Sequence, residues 1–465
     1  MMRKWTAASV AVAMAAAIWI VSPSTAEGER PALVGAQVTG WSGLDGCTDP
    51  ALEGHLCGVL TVPVDRRHPD AGTLDLDVLV AGDPAARRTL LLLTGGPGQP
   101  GPALAPRLLS AFAGIADQYK IVMLDQRGTG AHALDCPQLQ QERGGVDLLV
   151  PSRDAVRECA ETIGRIRQHF HTTDTVADLD DLRRALGVRR WAVDGVSYGT
   201  YTGARYAAAH PRHVTQLVLD SPVPVTGFDA TLAEIFPDFA RVMRLVCATE
   251  GRDCPGDPAA DLHTLLERRP ALGPDLLNLV TTIGYFDSAE LADLPERLHA
   301  AAGGDDGPIE EMLAPFPDIV AAPADQYSQG IQATTLCADL DFPWGGADSP
   351  ERFRDRAADR AVARLSEHEL FPFNREAARG NGEMVLCENW PRMPDRPVPA
   401  ADLRVRVPTL ILAGDHDLGT PLTWARRAHR EIPCSRLEIV RGAGHATQFG
   451  GHPEINALVA RVLLR

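Results

Sequence analysis

An apolar segment, a serine flanked by glycines and a helix-forming segment follow one another between residues 190 and 211. Residues 191–193 predict a buried strand, and the small and helix-forming residues after them predict a helix that ends at Pro211. Between the two lies Gly195-Val-Ser197-Tyr-Gly199. Where a strand turns this tightly into a helix, only glycine fits two residues before and after the serine. The pattern predicts a nucleophile elbow that holds Ser197 in a strained conformation, with its hydroxyl above the sheet.

Short, mainly apolar runs separated by helical stretches predict the rest of the sheet. They cover residues 90–93, 121–124, 191–193, 217–219, 409–412 and 437–440. Runs of this kind are typical of parallel strands that are covered by helices on both faces. Residues 59–64 and 74–80 predict an antiparallel pair at a sheet edge, because the second segment alternates apolar and acidic residues. We therefore expect an α/β protein with a mainly parallel central sheet.

The strand pattern stops between residues 219 and 409, where helical segments alternate with breaks rich in proline and glycine. We interpret residues 225–400 as a mainly helical cap inserted into one core, because an apolar strand returns at residue 409. The core is then formed by residues 27–224 and 401–465. A second domain on a linker is the alternative.

Residues 1–26 have the features of a secretory signal peptide. Two positive charges precede an apolar run over residues 7–21, and Ser24-Thr-Ala26 provides a small-x-small cleavage site. A retained membrane anchor is the alternative; the shortness of the run and the cleavage site favour the signal peptide. We expect cleavage near Ala26, secretion, and no stable membrane association afterwards. The sequence does not give the oligomeric state.

Nine cysteines in an exported chain predict disulfides. Sequence spacing makes four pairings plausible without fixing them: Cys47–Cys57, Cys136–Cys159, Cys247–Cys254 and Cys337–Cys387. Cys434 is then left without a partner. The chain lacks C-x-x-C and H-E-x-x-H spacings, so we expect structural disulfides, no metal site and no organic cofactor. A formal net charge of −16 argues against nucleic acid or an anionic membrane as a partner.

A serine nucleophile needs an imidazole that takes its proton and a carboxylate that orients the imidazole. After a nucleophile elbow, the acid and then the histidine follow in chain order at the ends of later strands. Asp417 follows strand 409–412, and His445 follows strand 437–440 after a Gly-Ala-Gly turn. Carboxyl ends of parallel strands open on one rim, so we predict Ser197, Asp417 and His445 as a catalytic triad.

Other residues compete for these roles. Asp415 follows its strand closely, so we expect it to accept hydrogen bonds from loop amides and not to contact the histidine. Asp220, at the end of an earlier strand, is a third candidate acid. His416 is interpreted as a solvated loop residue. For the oxyanion we predict the backbone amides of Gly96, in a glycine-rich loop after a strand, and of Tyr198.

Five motifs occur in order along the chain: Gly95-Gly-Pro-Gly98, Asp125-Gln-Arg-Gly-Thr-Gly130, Gly195-Val-Ser-Tyr-Gly199, Gly414-Asp-His-Asp417 and Gly444-His445. Together they resemble the proline iminopeptidase and tripeptidyl aminopeptidase family of α/β-hydrolases, and most of all its secreted tripeptidyl aminopeptidase branch. The resemblance implies an α/β-hydrolase fold, serine exopeptidase activity and the triad Ser197, Asp417 and His445. Thr94 and His132 depart from the family pattern, which usually has histidine and serine there.

This resemblance implies a peptide substrate with a free N-terminus, whose ammonium needs carboxylates. A Cys337–Cys387 bridge would bring Asp339 and Glu388 together, and we predict that one or both bind the ammonium; ordinary surface acids are the alternative. The expected function is release of short, tripeptide-type N-terminal peptides through an acyl-enzyme. An esterase or lactone hydrolase of secondary metabolism, or a non-catalytic binding protein, are the alternatives.

Overall fold

A ten-stranded sheet forms the centre of the computed structural model, which describes residues 40–249, 254–285, 289–393 and 403–465. The predicted signal peptide, residues 1–26, and its cleavage site at Ala26 lie outside the described residues. The strands are β1 Gly40–Trp41, β2 Asp45–Gly46, β3 Leu56–Pro63, β4 Thr73–Gly82, β5 Arg88–Leu93, β6 Tyr119–Leu124, β7 Trp191–Val196, β8 Val214–Asp220, β9 Thr409–Gly414 and β10 Ser435–Val440.

Six neighbouring strands are parallel, in the order β6-β5-β7-β8-β9-β10. β4 joins β6 in the antiparallel sense, β3 joins β4, and β1 and β2 both pair with β3. The mainly parallel α/β sheet is thus confirmed, as is the antiparallel β3–β4 pair. Its predicted place at the sheet edge is wrong, because β1 and β2 lie outside β3 and β4 is mostly buried against β6.

Helices cover both faces of the sheet and fill the segment between β8 and β9. Their bounds are α1 Ala105–Leu108, α2 Pro137–Arg143, α3 Arg153–Ile163, α4 Thr172–Ala185, α5 Tyr198–Ala209, α6 Phe236–Thr249, α7 Pro258–Arg268, α8 Gly273–Tyr285, α9 Ala289–Ala302, α10 Gly307–Leu313, α11 Phe316–Ile319, α12 Gln329–Asp339, α13 Arg354–Ala363, α14 Glu367–Leu370, α15 Arg375–Gly380, α16 Gly382–Asn389, α17 Leu422–Glu431 and α18 Pro453–Leu463. Helices α4, α5 and α17 pack on one face, and α1 and α18 on the other.

Helices α6–α16 lie between β8 and β9, two strands that pair directly with each other. Their apolar side chains form one buried cluster that also includes α2 and α3. Helices α2 and α3, from the first part of the chain, therefore pack against the inserted helices. The boundaries at 225 and 400 stay predictions, and residue 400 lies outside the described residues.

Four disulfides join the pairs that the spacing suggested: Cys47–Cys57, Cys136–Cys159, Cys247–Cys254 and Cys337–Cys387. Cys434 is an exposed free thiol. These pairings are confirmed. Among the described residues, no helix combines the length and the apolar character that crossing a membrane requires.

Candidate active site

The predicted elbow is a strained turn in the structure. Ser197 connects β7 to α5 with φ 55° and ψ −127°, a conformation that L-residues rarely adopt. A Cβ on Gly195 would lie 2.4 Å from the carbonyl oxygen of Gly199, and a Cβ on Gly199 would lie 2.5 Å from that of Leu93. Both glycines are therefore required by close backbone contacts, and the turn holds Ser197 at the helix N-terminus.

Asp417, which is buried, and His445, which is partly exposed, form a pair at the carboxyl ends of β9 and β10. The Asp417 carboxylate has no exposed surface, and its two oxygens lie 3.1 and 3.0 Å from Nδ1 of His445. The backbone amides of Gly419 and Thr420 donate to the same carboxylate at 2.8 and 2.9 Å, and the Thr420 hydroxyl donates to it at 2.8 Å. These donors fix the carboxylate in place and leave Nε2 as the ring nitrogen available for a reaction.

The two groups of this pair shift each other's pKa in opposite directions. Burial opposes the charged form of His445, but the carboxylate of Asp417, helped by those of Asp220 and Asp147, raises the pKa of the imidazole above its usual value. Burial also works against an ionised Asp417, yet His445 and the donors from Thr420 lower the pKa of that carboxyl group. Asp417 is therefore ionised at neutral pH, as a carboxylate that orients an imidazole must be.

Ser197 and His445 are both among the described residues, and the Ser197 hydroxyl makes no hydrogen bond to His445. Ser197 follows β7, and His445 follows β10, with β8 and β9 between these two parallel strands. Both residues thus lie at the same edge of the sheet. Hydrogen bonds between a nucleophile and its base are commonly long without substrate and tighten in the reacting complex.

The glycine-rich loop after β5 lies against the elbow. A Cβ on Gly95 would approach the Cβ of Ser197 to 2.8 Å, and Gly96 has a positive φ of 106°. The Gln99 side chain accepts a hydrogen bond from the Gly95 amide at 3.1 Å. The Thr94 hydroxyl donates to the Gln99 carbonyl at 3.3 Å, so threonine supports the loop at this departure from the family pattern.

The predicted oxyanion donors are free of other backbone partners. No acceptor among the described residues takes a hydrogen bond from the amide of Gly96 or of Tyr198. Since the Tyr198 amide also begins helix α5, the positive end of the helix dipole adds to its effect on a developing negative charge. Neither amide is therefore committed to another acceptor, and their role as oxyanion donors stays a prediction.

The competing acids have other partners. Asp415 accepts hydrogen bonds from the Gly442 amide and from His416, both at 2.8 Å, as expected for a loop-bonding residue. His416 is mostly buried, which corrects its interpretation as a solvated residue. Asp220 binds the segment after His445 and not the imidazole. Asp417 is the acid that contacts His445.

The two predicted substrate-binding acids lie in different surroundings. Asp339 Oδ2 accepts hydrogen bonds from the Thr172 amide at 2.9 Å and from the Tyr198 hydroxyl at 3.2 Å, whereas its Oδ1 is buried without a partner. Glu388 forms an ion pair with Arg379 at 2.7 Å. The Cys337–Cys387 bridge exists. Arg379 also bonds to Asp355 and Asp359, so Glu388 belongs to a surface ion-pair network, whereas Asp339 keeps a buried oxygen without a partner. The role of either acid in substrate binding stays a prediction.

A second pair of acids, Glu383 of α16 and Asp147, lies near the histidine, and no sequence pattern predicted it. Glu383 is only 6% exposed, its Oε2 has no partner, and burial together with the nearby Asp147 carboxylate raises its pKa to about 8. Asp147 accepts hydrogen bonds from Gln332 at 2.8 Å and from the Tyr285 hydroxyl at 3.1 Å. No local pattern in α16 distinguishes Glu383 from the surface acids of neighbouring helices.

This acid pair is connected to the histidine through Tyr285. The ring of Tyr285 meets the His445 imidazole edge to face, with centroids 4.8 Å apart. Burial, followed by carboxylates that include Asp147, Glu383 and Asp417, raises the pKa of the Tyr285 hydroxyl well above its usual value. Tyr285 therefore lies within the field of both acid groups.

A cluster at the opposite end of α5 has possible metal ligands. Donor atoms of Asp180, His210 and His213 lie within 4.8 Å of one another. The Asp180 carboxylate already accepts hydrogen bonds from Arg183 and His213, both at 2.8 Å. Because the positive charge of the arginine opposes a second cation, we assign no metal to this cluster.

Comparison with known proteins agrees with the fold. Residues 88–272 match the family described as "alpha/beta hydrolase fold", and residues 372–465 match the one described as "TAP-like protein". The tripeptidyl aminopeptidase of Streptomyces lividans is 29% identical over 452 residues, which cover 88% of this chain and 81% of that protein. The serine protease Hip1 of Mycobacterium tuberculosis is 25% identical, covering 88% of this chain and 85% of that protein.

A third relative is more similar to this chain in percentage identity than these two, over a shorter alignment. The probable proline iminopeptidase of Streptomyces coelicolor is 32% identical over 355 residues, which cover 76% of this chain and 81% of that protein. Both the sheet and these similarities agree with the resemblance that the five motifs carry. The chain belongs to the α/β-hydrolase family of serine exopeptidases that includes proline iminopeptidase and tripeptidyl aminopeptidase.

Proposed function

We propose that this protein removes short peptides of tripeptide type from the free N-terminus of peptide substrates, through an acyl-enzyme on Ser197. The observation that carries the proposal is the hydrogen-bonded Asp417–His445 pair, which lies on the same rim as the strained elbow serine. The similarity to tripeptidyl aminopeptidase over 88% of this chain supports the substrate class.

The proposed reaction has two steps. Nε2 of His445 takes the proton of Ser197 as the hydroxyl oxygen attacks the scissile carbonyl, while Asp417 holds Nδ1–H and stabilises the imidazolium. The amides of Gly96 and Tyr198 donate to the oxyanion. His445 then gives the proton to the leaving amine, and water hydrolyses the acyl-enzyme by the same route.

The substrate ammonium needs an acceptor that is ionised and unpaired. Among the described residues, four buried carboxylate oxygens have no hydrogen-bond partner: Asp174 Oδ2, Asp194 Oδ2, Asp339 Oδ1 and Glu383 Oε2. Asp339 bonds to Tyr198, next to the nucleophile, and Glu383 lies near Tyr285, which contacts His445. We favour Glu383, because Asp147 beside it bonds to Tyr285, which contacts His445. Asp339 remains the second candidate, since its Oδ2 is already used by Tyr198. An ammonium bound here would keep Glu383 ionised despite its burial.

Secretion is part of the proposal. The four disulfides support an oxidising compartment, because cytosolic thiols are normally kept reduced. The features of residues 1–26 that predict a cleaved signal peptide support the same compartment. N-terminal sequencing of the protein from culture medium tests this part, and an intact N-terminus on a cell-bound protein would contradict it.

Substrate profiling of the purified mature protein tests the activity. We expect tripeptide anilides with a free amine to be cleaved faster than single-residue anilides and far faster than N-acetylated tripeptide anilides. Ser197→Ala should abolish turnover and labelling by a fluorophosphonate. If simple esters are hydrolysed and free-amine anilides are not, the protein is an esterase; if wild-type protein is not labelled, it is not a serine hydrolase.

A further inference from the structure

Two buried acids at the carboxyl end of the sheet have no role in the proposed reaction. Asp194 lies on β7, three residues before Ser197, and Asp220 ends the adjacent strand β8. Neither side chain has any exposed surface. Buried carboxyl groups are costly unless they are well hydrogen-bonded, so their partners are informative.

Asp220 and Ser221 bind the three residues that follow His445. Asp220 Oδ1 accepts from the Thr447 amide at 3.0 Å and from the Thr447 hydroxyl at 2.9 Å, and Oδ2 accepts from the Gln448 amide at 2.8 Å. Ser221 Oγ accepts from the Ala446 amide at 2.8 Å. Two consecutive residues thus hold three consecutive amides next to the imidazole.

The backbone on both sides of this contact is strained. Ser221 has φ 56° and Ala446 has φ 61°, and neither is a glycine. Such conformations are unfavourable for residues other than glycine and persist only where surrounding contacts enforce them. The hydrogen bonds from the loop to Asp220 and Ser221 supply that enforcement, and the turn they hold sets the direction of the His445 side chain.

Gln448 connects the two acids. Its side-chain amide donates to Asp194 Oδ1 at 3.1 Å, and its backbone amide donates to Asp220. Burial, aided by the charge of Asp220, raises the pKa of Asp194 well above its usual value. Burial raises the pKa of Asp220 as well, but hydrogen bonds from Thr447 and Gln448 and the charge of His445 oppose that shift. Asp220 accepts three hydrogen bonds and Asp194 accepts one, so a negative charge is better stabilised on Asp220.

We infer that Asp220 and Ser221 are positioning residues that clamp the loop after His445 and so orient its imidazole towards Ser197. This inference rests on the proposed role of His445 as the base. The clamp acts in two ways that are separable by substitution. Ser221 contributes only a hydrogen bond, whereas Asp220 contributes hydrogen bonds and a negative charge.

The charge of Asp220 has a measurable consequence. The groups that face His445 are the carboxylates of Asp417, Asp220 and Asp147, together with Tyr285 and the Thr420 hydroxyl. Each carboxylate favours the imidazolium and raises its pKa. Removing one of them should lower the pH at which His445 becomes neutral and active.

The test compares Asp220→Asn and Ser221→Ala with wild type in kcat, KM and the pH profile of kcat/KM on a free-amine tripeptide anilide. We expect kcat to fall about 10- to 100-fold in both variants with KM changed less than about 3-fold, since small misplacements of catalytic groups cost rate more than binding. The acid limb should move to lower pH in Asp220→Asn only.

A destabilised variant far from the rim serves as the control. Leu463→Ala removes a buried side chain of α18, so it lowers stability but should leave the acid limb in place. Should Asp220→Asn not fold, Ser221→Ala alone still tests the clamp through its kcat. Wild-type kcat in Ser221→Ala, or an unmoved acid limb in folded Asp220→Asn, overturns the inference.

Failure of the proposed function gives a different result. In that case wild-type protein itself is neither labelled by a fluorophosphonate nor active on the anilide. If only the clamp fails, wild-type protein is labelled and active, and the variants match it in kcat and in pH profile. Labelling of the wild type therefore separates the two outcomes before any variant is compared.

Discussion

The ring of Tyr285 lies edge to face against the imidazole of His445, with 4.8 Å between their centroids. Tyr285 ends α8, a helix of the segment inserted between β8 and β9. The same ring lies against the loop that carries Asp417, because a Cβ on Gly419 would come within 1.7 Å of it. The inserted helices therefore form one wall around the histidine, and substitutions in them should affect the rim directly.

The first prediction concerns the identity of the acid. Asp417→Asn should lower kcat by about 10³- to 10⁴-fold, because an amide in this place favours the wrong imidazole tautomer. The matched control is Asp415→Asn, two residues away, whose side chain bonds to the Gly442 amide and to His416. Its kcat should stay within about 10-fold of wild type. Steady-state kinetics on a tripeptide anilide measure both, and a larger loss in the control would assign the acid to Asp415.

The second prediction tests the ammonium site. Glu383→Gln should raise KM for free-amine tripeptide anilides by about 10- to 100-fold, since a charge-assisted hydrogen bond contributes about 1.5–3 kcal/mol. Hydrolysis of an N-blocked ester should change little. Glu388→Gln is the control, because Glu388 is already paired with Arg379. If Asp339→Asn raises this KM and Glu383→Gln does not, the ammonium binds at Asp339.

The third prediction concerns the elbow. Gly199→Ala should abolish activity and lower the yield of folded protein, because the added Cβ would overlap the Leu93 carbonyl oxygen at 2.5 Å. Gly203→Ala lies in the same helix, where the nearest atom to an added Cβ is a Val193 methyl group at 3.3 Å. This control should keep activity, since alanine favours the helix by about 0.5–1 kcal/mol. Circular dichroism and fluorophosphonate labelling distinguish the two variants.

The fourth prediction is a pH dependence of stability. Burial, opposed in part by the hydrogen bond from the Gly101 amide, raises the pKa of Asp125 to about 7. Between about pH 4 and pH 7 the folded state holds a proton that the unfolded state has released, so stability falls as pH rises. Asp125→Asn has no such proton. The free energy of unfolding of wild type, measured with denaturant, should therefore fall by about 2–4 kcal/mol more than that of the variant between pH 5 and pH 8. If the two proteins differ by the same free energy at both pH values, the prediction is contradicted.

Local sequence patterns were enough to predict most of the fold. Runs of apolar residues predicted the strands from β3 to β10, because burial on both faces leaves a direct trace in consecutive positions. They missed β1 and β2, which have two residues each and are too short to carry a pattern. The edge position of β3 and β4 was therefore wrong.

By itself the sequence determined the elbow around Ser197 and the order of Ser197, Asp417 and His445, since these depend on residues close together or on chain order in a known family. Tertiary structure alone decided that Glu388 is paired with Arg379, that Glu383 and Asp147 share a buried site, and that Asp220 binds the loop after His445. Whether a carboxylate is exposed, paired or buried depends on side chains distant in sequence, because packing brings them within hydrogen-bond distance only in the folded chain.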